Sequence, residues 1–119
     1  MIERDIAVIG STTIDQIIHS GSSRFKIGGG TTYAGITYRR HGIKTCVVTN
    51  VANRDRELIQ RLQKQSIVVC NGQTEHSTRF RNMIDEDSRQ RRQHMLQQAA
   101  SINQSQVVEN IKDVNFVHL

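Results

Sequence analysis

Short apolar runs alternate with amphipathic stretches along most of the chain. The apolar runs are four to seven residues long and rich in β-branched side chains, which is typical of buried parallel strands. Between them lie stretches with helical periodicity, so the order predicts an α/β fold with a doubly wound sheet. The predicted strands are Asp5–Gly10, Lys44–Thr49, Ser66–Cys70 and Val114–Leu119. The predicted helices are one that follows the glycines at 28–30 and ends at Arg40, a second over Arg54–Gln65 and a third over Gln104–Ile111.

Two segments break this alternation and predict β-hairpins. The first pairs Ile14–His19 with Arg24–Ile27 across a turn at 21–23. The second begins with a stretch from Thr78 to Ile84 in which two sets of side chains alternate, as in a strand, and it turns at 85–88. The residues from Arg89 to Leu96 then return as its partner strand, although 89–100 is almost equally acceptable as a helix because Arg, Gln, Met, Leu and Ala favour one. We favour the hairpin, which places the two hairpins at about 14–27 and 76–96.

The stretch IGGGTTYAGITYRRHG at 27–42 contains the clearest candidate for chemistry. Gly28, Gly29 and Gly30 precede a helix that ends with basic residues and a glycine, and Thr31 and Thr32 are candidate N-caps. Glycines let backbone amides approach a ligand, and a helix N-terminus carries partial positive charge. We therefore expect an anion or a hydroxyl-rich ligand at Gly28–Gly30; the alternative is a tight strand-to-helix turn with no ligand.

Two nucleotide-binding motifs fail at this position. The spacing from Gly30 to Gly35 matches a P-loop, but Ile36 stands where the phosphate-binding lysine is required. The dinucleotide-binding fingerprint also fails, because Tyr33 occupies its third glycine. Asp15 is a different type of candidate. It follows the first strand, at the end where open α/β sheets bind their ligands, although an aspartate there is more often a turn or capping residue.

Composition and charge narrow the remaining possibilities. The formal net charge is +5, and five of the 16 basic residues lie in the second hairpin: Arg79, Arg81, Arg89, Arg91 and Arg92. A basic hairpin suits nucleic acid, but no aromatic residues interleave the arginines, so we favour a solvated face and consider nucleic acid an improbable partner. Cys46 and Cys70 are expected to be free, buried thiols. The five histidines show no metal-binding spacing. No membrane span or signal peptide is apparent, so we expect a cytoplasmic protein.

Taken together, these parts resemble the N-terminal region of the ribokinase-like (PfkB) carbohydrate and nucleoside kinases. The resemblance covers Asp5 to Leu119 and rests on VIGSTTID, the early hairpin, the IGGG turn with its helix ending in HG, the stretch TCVVTNVANRD and the arginine-bearing hairpin. It implies a partial ribokinase-like doubly wound sheet with a small β-hairpin lid, the C-terminal half being absent.

The resemblance also implies roles for particular residues. In that family the equivalent of Asp15 holds sugar hydroxyls, and Gly28 and Gly29 bring backbone amides to the substrate; Gly30 continues the same turn. Tyr33 stands where the family usually has a sugar-binding asparagine. The hairpins resemble the lid that closes over the sugar and often carries contacts of a homodimer. The implied substrate is a sugar or a nucleoside.

One part of the family pattern is missing. The catalytic half of these kinases has a glycine-alanine-glycine-aspartate turn, which holds the phosphates and supplies the base, and no such sequence occurs in these 119 residues. ATP and Mg²⁺ are therefore expected to be bound by sequence absent here. We expect the chain alone to be catalytically inactive, with the non-catalytic alternative being a basic α/β module that binds nucleic acid through the hairpin from Arg79 to Arg92.

Overall fold

A computed structural model of the protein describes residues 4–119. Residues 1–3, on which the expectation of no signal peptide partly rests, lie outside this range. In chain order the elements are β1 (Ile6–Ile9), β2 (Thr13–His19), β3 (Ser22–Gly28), α1 (Gly30–Arg40), β4 (Thr45–Asn50), a 3₁₀ turn (Asn53–Asp55), α2 (Glu57–Lys64), β5 (Val68–Gly72), β6 (Thr78–Ile84), β7 (Arg91–Gln97), α3 (Gln104–Asn110) and β8 (Phe116–His118).

The predicted parallel strands form one four-stranded sheet in the order β5-β4-β1-β8. All three pairings are parallel, and β4 is buried along its whole length because its apolar side chains are covered on both faces. The strand order reverses at β1, which has β4 on one side and β8 on the other. In open α/β sheets this reversal creates a crevice at the carboxyl ends of the strands. The predicted α/β class and sheet type are confirmed.

Helices α1 and α2 cover the apolar core of this sheet. Val8, Val47, Leu62 and Ile67 form the centre of that core. Helix α1 lies close to β4, since a side chain at Gly35 would come within 3.2 Å of Val47. The predicted amphipathic face of α2 is confirmed by its buried leucines, Leu58 and Leu62.

The two predicted hairpins form a second, smaller sheet in the order β3-β2-β6-β7. Strand β2 is antiparallel to β3 and parallel to β6, which joins the hairpins through their first strands. Strand β7 runs antiparallel to β6, so the hairpin interpretation of the segment after Arg89 is confirmed over the helical one. We call this second sheet the lid sheet. The first hairpin is longer than predicted, because its turn is confined to Ser20 and Gly21, both with positive φ.

Two local predictions are wrong. Neither Thr31 nor Thr32 caps α1: Gly29 holds the N-cap position without a side-chain hydrogen bond, and both hydroxyls donate to carbonyl oxygens instead, those of Ser11 and Gly28. The last strand was predicted to be buried, yet the side chain of Phe116 is 68% exposed. Strand β8 is an edge strand with β1 as its neighbour, so among the described residues its outer side has no pairing strand.

Both cysteines are free thiols, Cys46 buried and Cys70 half-buried. They lie on β4 and β5, two positions apart in the register of that strand pair. A hydrogen bond from the Cys46 thiol lowers the pKa of Cys70 to about 6, and the charge of Arg4 favours the thiolate further. The guanidinium of Arg4 donates to the Cys70 sulfur at 3.5 Å. For the same reason the pKa of Cys46 is raised, since its proton is held between the two sulfurs.

No helix within residues 4–119 is long and apolar enough to cross a membrane.

Candidate substrate site

A network of buried threonine hydroxyls attaches the glycine bend to the core sheet. The hydroxyl of Thr12, just after β1, lies 2.6 Å from that of Thr31 in α1 and 2.9 Å from that of Thr49 in β4. Thr31 also donates to the carbonyl oxygen of Ser11 at 2.8 Å. The first turn of α1 is thereby fixed against the carboxyl ends of β1 and β4. Sequence reasoning missed this role, because it depends on a convergence of three segments that the topology creates.

Asp15 lies on β2 with its carboxylate directed toward the glycine bend. The residue is 8% exposed, and its Oδ1 accepts a hydrogen bond from the Thr13 hydroxyl at 2.7 Å. Gly28 pairs with Thr13 across the β2-β3 ladder. A side chain at Gly28 would overlap the Asp15 carboxylate, so the missing Cβ provides the space in which that carboxylate lies. The structure thus brings Asp15 and Gly28 together, as the sequence predicts.

The other two glycines have different structural roles. Gly29 has φ +89°, in the left-handed region, and a Cβ there would come within 3.0 Å of the Ser11 carbonyl carbon. Gly30 has open space where its Cβ would be. Gly29 is therefore required by backbone conformation and close packing, whereas Gly30 leaves the start of α1 bare toward the solvent side.

These residues surround a cavity of about 570 Å³ between the lid sheet and the start of α1. Of the predicted site residues, Asp15, Gly29, Gly30 and Tyr33 line it, and Gly28 lies directly behind the Asp15 carboxylate. The volume suits a small molecule. Tyr33 is 54% exposed and Lys26 is exposed, so both side chains lie at the rim of the cavity. The Lys26 ammonium is 5.5 Å from the centre of the Tyr33 ring, which is a cation–π distance.

The cavity also has residues that the sequence reasoning did not select. Side chains alternate between the faces of a strand, and Asp15 on β2 pairs with Lys26 on β3 and Phe80 on β6. The next row on the same face contains Arg24, Ile17, Asn82 and Gln93. The alternation in β6 was visible in the sequence, but the parallel register between β2 and β6 was not, and this register brings the second hairpin beside Asp15.

The arginines of the second hairpin do not share one surface. Arg91 faces the cavity, where it donates two hydrogen bonds to Asn82 Oδ1, at 3.2 and 2.9 Å. Arg79 and Arg81 lie on the opposite face and contact other groups: Arg79 forms a salt bridge with Asp55 at 3.0 Å, and Arg81 donates to Gln16. This division argues against a continuous basic strip for nucleic acid, and the prediction that nucleic acid is not a partner stays a prediction.

The described residues do not fit a site for ATP with Mg²⁺. Between residues 4 and 119 there is no group of three or more His, Cys, Asp or Glu side chains that could hold a metal ion. The helix start at Gly30 has no P-loop lysine, because Ile36 stands at that position.

Comparisons with known proteins agree with this architecture. No protein-family model and no curated protein sequence matches the chain. Among solved structures it is similar to a pyrophosphate-dependent kinase in the ribokinase family complexed with a pyrophosphate analog and myo-inositol, with 22% identity and a TM-score of 0.76 over 87% of this chain and 36% of that one. It is similar to an uncharacterized sugar kinase from Pyrococcus horikoshii in complex with ATP, with 21% identity and a TM-score of 0.72 over 93% and 42% of the two chains. It is also similar to ribokinase from Giardia lamblia, with 16% identity and a TM-score of 0.79 over 97% of this chain and 41% of that one.

The fold defines a class: an open parallel α/β sheet joined to a second, smaller β-sheet, with a cavity between that second sheet and the start of α1. The particular fold is ribokinase-like, and the chain carries part of it. The chain spans 36% to 42% of the length of the structures just described.

Proposed function

We propose that this chain is the substrate-binding and lid portion of a sugar or nucleoside kinase, which transfers a phosphoryl group to a substrate hydroxyl. The observation that carries the proposal is the placement of the Asp15 carboxylate beside the bare backbone of Gly28–Gly30 in one cavity. The ribokinase-like fold supports it, and so do the kinases among the similar structures.

The chemistry assigned to Asp15 is to accept hydrogen bonds from substrate hydroxyls. Its carboxylate is largely buried, so water competes weakly, and a charged acceptor forms stronger hydrogen bonds than a neutral one. Oδ1 accepts from the Thr13 hydroxyl and Oδ2 lies against Gly28, and each carboxylate oxygen has a further lone pair for a ligand hydroxyl. Backbone at the start of α1 approaches the same space without intervening side chains. A polyol held between the two would have its hydroxyls in a fixed orientation, which is the main contribution a substrate half makes to phosphoryl transfer.

We assign the phosphoryl donor to sequence outside this chain. The proposed donor is ATP with Mg²⁺, which would supply the transferable phosphate and neutralise its charge. The described residues offer no group for either, so the chain alone is expected to consume no ATP with any sugar. Sustained ATP turnover by the purified 119-residue chain, measured with a coupled assay over a sugar panel, would contradict this assignment.

The substrate assignment can be tested with a charge-neutral substitution, Asp15→Asn. The amide keeps the size of the side chain and an acceptor for Thr13, so the fold should persist. Losing a charged hydrogen bond to the ligand is worth about 1.5–3 kcal/mol, or about 10- to 150-fold in Kd. The measurement is isothermal titration calorimetry against pentoses, hexoses, myo-inositol and nucleosides.

The matched control is Asp113→Asn, which removes the same charge from an exposed turn between α3 and β8, away from the cavity. We expect it to leave every Kd unchanged. If Asp15→Asn binds the same ligands as tightly as the unsubstituted chain, or if Asp113→Asn weakens them equally, Asp15 has no role in binding and the proposal is wrong.

A further inference from the structure

The cavity has an excess of positive charge. Arg24, Lys26 and Arg91 line it, and Asp15 is the carboxylate that faces them. Within the described part of the chain, none of these three cations forms a salt bridge with a carboxylate, whereas Arg79 on the opposite face does. Cations gathered around a concave surface raise the local concentration of anions. A neutral polyol needs no such arrangement.

Asn82 gives a second and independent indication. The residue is 2% exposed and lines the cavity, and its Nδ2 has no hydrogen-bond partner. The orientation of the Asn82 amide is fixed, because two nitrogens of Arg91 donate to its Oδ1. The amide nitrogen Nδ2 therefore points away from the Arg91 guanidinium. A buried donor without a partner destabilises the fold, and a ligand that supplies an acceptor oxygen to Nδ2 would remove that cost.

The positions of these groups indicate the length of the ligand. Asp15 and Ile17 are two residues apart on β2, and Ile17 pairs with both Arg24 and Asn82. The Asp15 row and the Asn82 row are therefore about 7 Å apart along the strands. A chain of about five or six carbons spans that distance, since each bond is about 1.5 Å long.

We propose that the substrate is an anionic polyol, with hydroxyls at Asp15 and a terminal phosphate or carboxylate at Asn82, Arg24 and Arg91. Asn82 donates to one anionic oxygen, and the two guanidiniums neutralise its charge. Lys26, held over Tyr33, closes the rim on the Asp15 side. This inference rests on the proposed function and narrows its substrate from polyols in general to acidic ones.

The test compares matched ligands by isothermal titration calorimetry at constant ionic strength. The probes are ribose, glucose and fructose, their terminal phosphates, ribonate and gluconate, and inorganic phosphate. The anionic group should tighten Kd by about tenfold or more relative to the parent sugar, because two charge-assisted contacts are added. The phosphate and carboxylate arms identify which anion the site prefers, and inorganic phosphate alone should bind more weakly than any sugar phosphate.

Two substitutions of equal charge distinguish the site from general attraction. Arg24→Gln should weaken the anionic probes by about fivefold to tenfold and leave the neutral sugars within about twofold. Arg92→Gln removes the same charge from the opposite face of the lid sheet and should change neither. Asn82→Asp, which places a carboxylate at the anion position, should abolish the preference for anionic probes; circular dichroism verifies that it folds.

Each result decides between the two proposals. If neutral sugars bind, lose affinity in Asp15→Asn and gain nothing from a terminal anion, the anionic-polyol inference is wrong while the proposed function stands. If Arg92→Gln weakens the anionic probes as much as Arg24→Gln, the attraction is general and the inference is again wrong. If no probe binds, neutral or anionic, the proposed function is wrong and the inference with it.

Discussion

The three consecutive glycines offer a sharp test, because the structure assigns a different consequence to alanine at each. At Gly28 a Cβ would overlap the Asp15 carboxylate and lie 2.9 Å from the Thr13 hydroxyl. At Gly29 it would press on the Ser11 carbonyl, and the φ of +89° would have to be adopted by a residue with a side chain. At Gly30 it would meet nothing within 4 Å. The sequence alone treats the three positions as equivalent.

The expected free energies of unfolding follow from these contacts. Gly28→Ala displaces a flexible side chain and breaks the Thr13–Asp15 hydrogen bond, a loss of about 1.5–3 kcal/mol, offset by about 0.4–1 kcal/mol from a less flexible unfolded chain. Gly29→Ala costs about 1–2 kcal/mol because a residue with a side chain must adopt a left-handed conformation. Its Cβ also displaces the Ser11 carbonyl and so disturbs the hydrogen bond from Thr31, and we expect a total loss of stability of about 3 kcal/mol or more. Gly30→Ala should stabilise the protein by about 0.4–1 kcal/mol.

Urea unfolding followed by far-ultraviolet circular dichroism measures all three, since the chain has no tryptophan to report by fluorescence. Calorimetric titration with the sugar panel should then separate Gly28→Ala from Gly30→Ala. The first displaces the carboxylate and should bind like Asp15→Asn, while the second should bind like the unsubstituted chain.

Equal destabilisation by all three alanines would refute this reasoning, because it would mean that the bend is sensitive to any side chain. The reasoning fails equally if Gly28→Ala folds and binds normally, since the space behind Asp15 would then be irrelevant. Gly30→Ala is the internal control for the effect of adding a methyl group to this turn.

Three further predictions concern other parts of the molecule. Thr12→Val leaves the Thr31 and Thr49 hydroxyls without their shared partner and should cost about 1–3 kcal/mol in urea unfolding; an unchanged midpoint would contradict the network. Cys70, with its pKa lowered to about 6, should be alkylated by iodoacetamide at pH 7 and progressively less below pH 6, while Cys46 stays unmodified; mass spectrometry of peptides decides, and faster labelling of Cys46 would be contrary evidence. If the lid mediates a homodimer, as the family resemblance implies, light scattering should give twice the chain mass, and Leu96→Glu on β7 should give the monomer; a monomeric unsubstituted chain at high concentration would exclude it.

Much of the fold follows from local patterns in the sequence. Continuous β-branched runs such as 45–50 are buried on both sides, and the basic end of α1 followed by Gly42 marks the end of a helix. The end of α1 was placed correctly because those signals are local. Its N-cap was not, because the Thr31 hydroxyl donates to the carbonyl of Ser11, which approaches only in the folded chain, and Gly29 takes the N-cap position.

Part of the candidate site follows from local patterns as well. The glycines were selected because they stand at the start of a helix, where backbone amides are free to meet a ligand. Asp15 was expected just after the first strand, whereas the structure has it within β2 of the second sheet, and it lies beside the glycine bend because Thr13 pairs with Gly28. Asn82 was missed because its position near Asp15 depends on the parallel register of β2 with β6, and a pairing between segments more than 60 residues apart leaves no short-range pattern in a sequence. Arg24 lies in the predicted first hairpin, but which face of that hairpin lines a cavity depends on where the second hairpin pairs.

The threonine network around Thr12 means that the pocket floor is preorganised. Strands β1 and β4 are the most deeply buried part of the described chain, and the first turn of α1 is fastened to both by side-chain hydroxyls. A ligand that meets this backbone does not have to order it, so little conformational entropy is lost there on association. Any induced fit would be left to the long side chains of the lid.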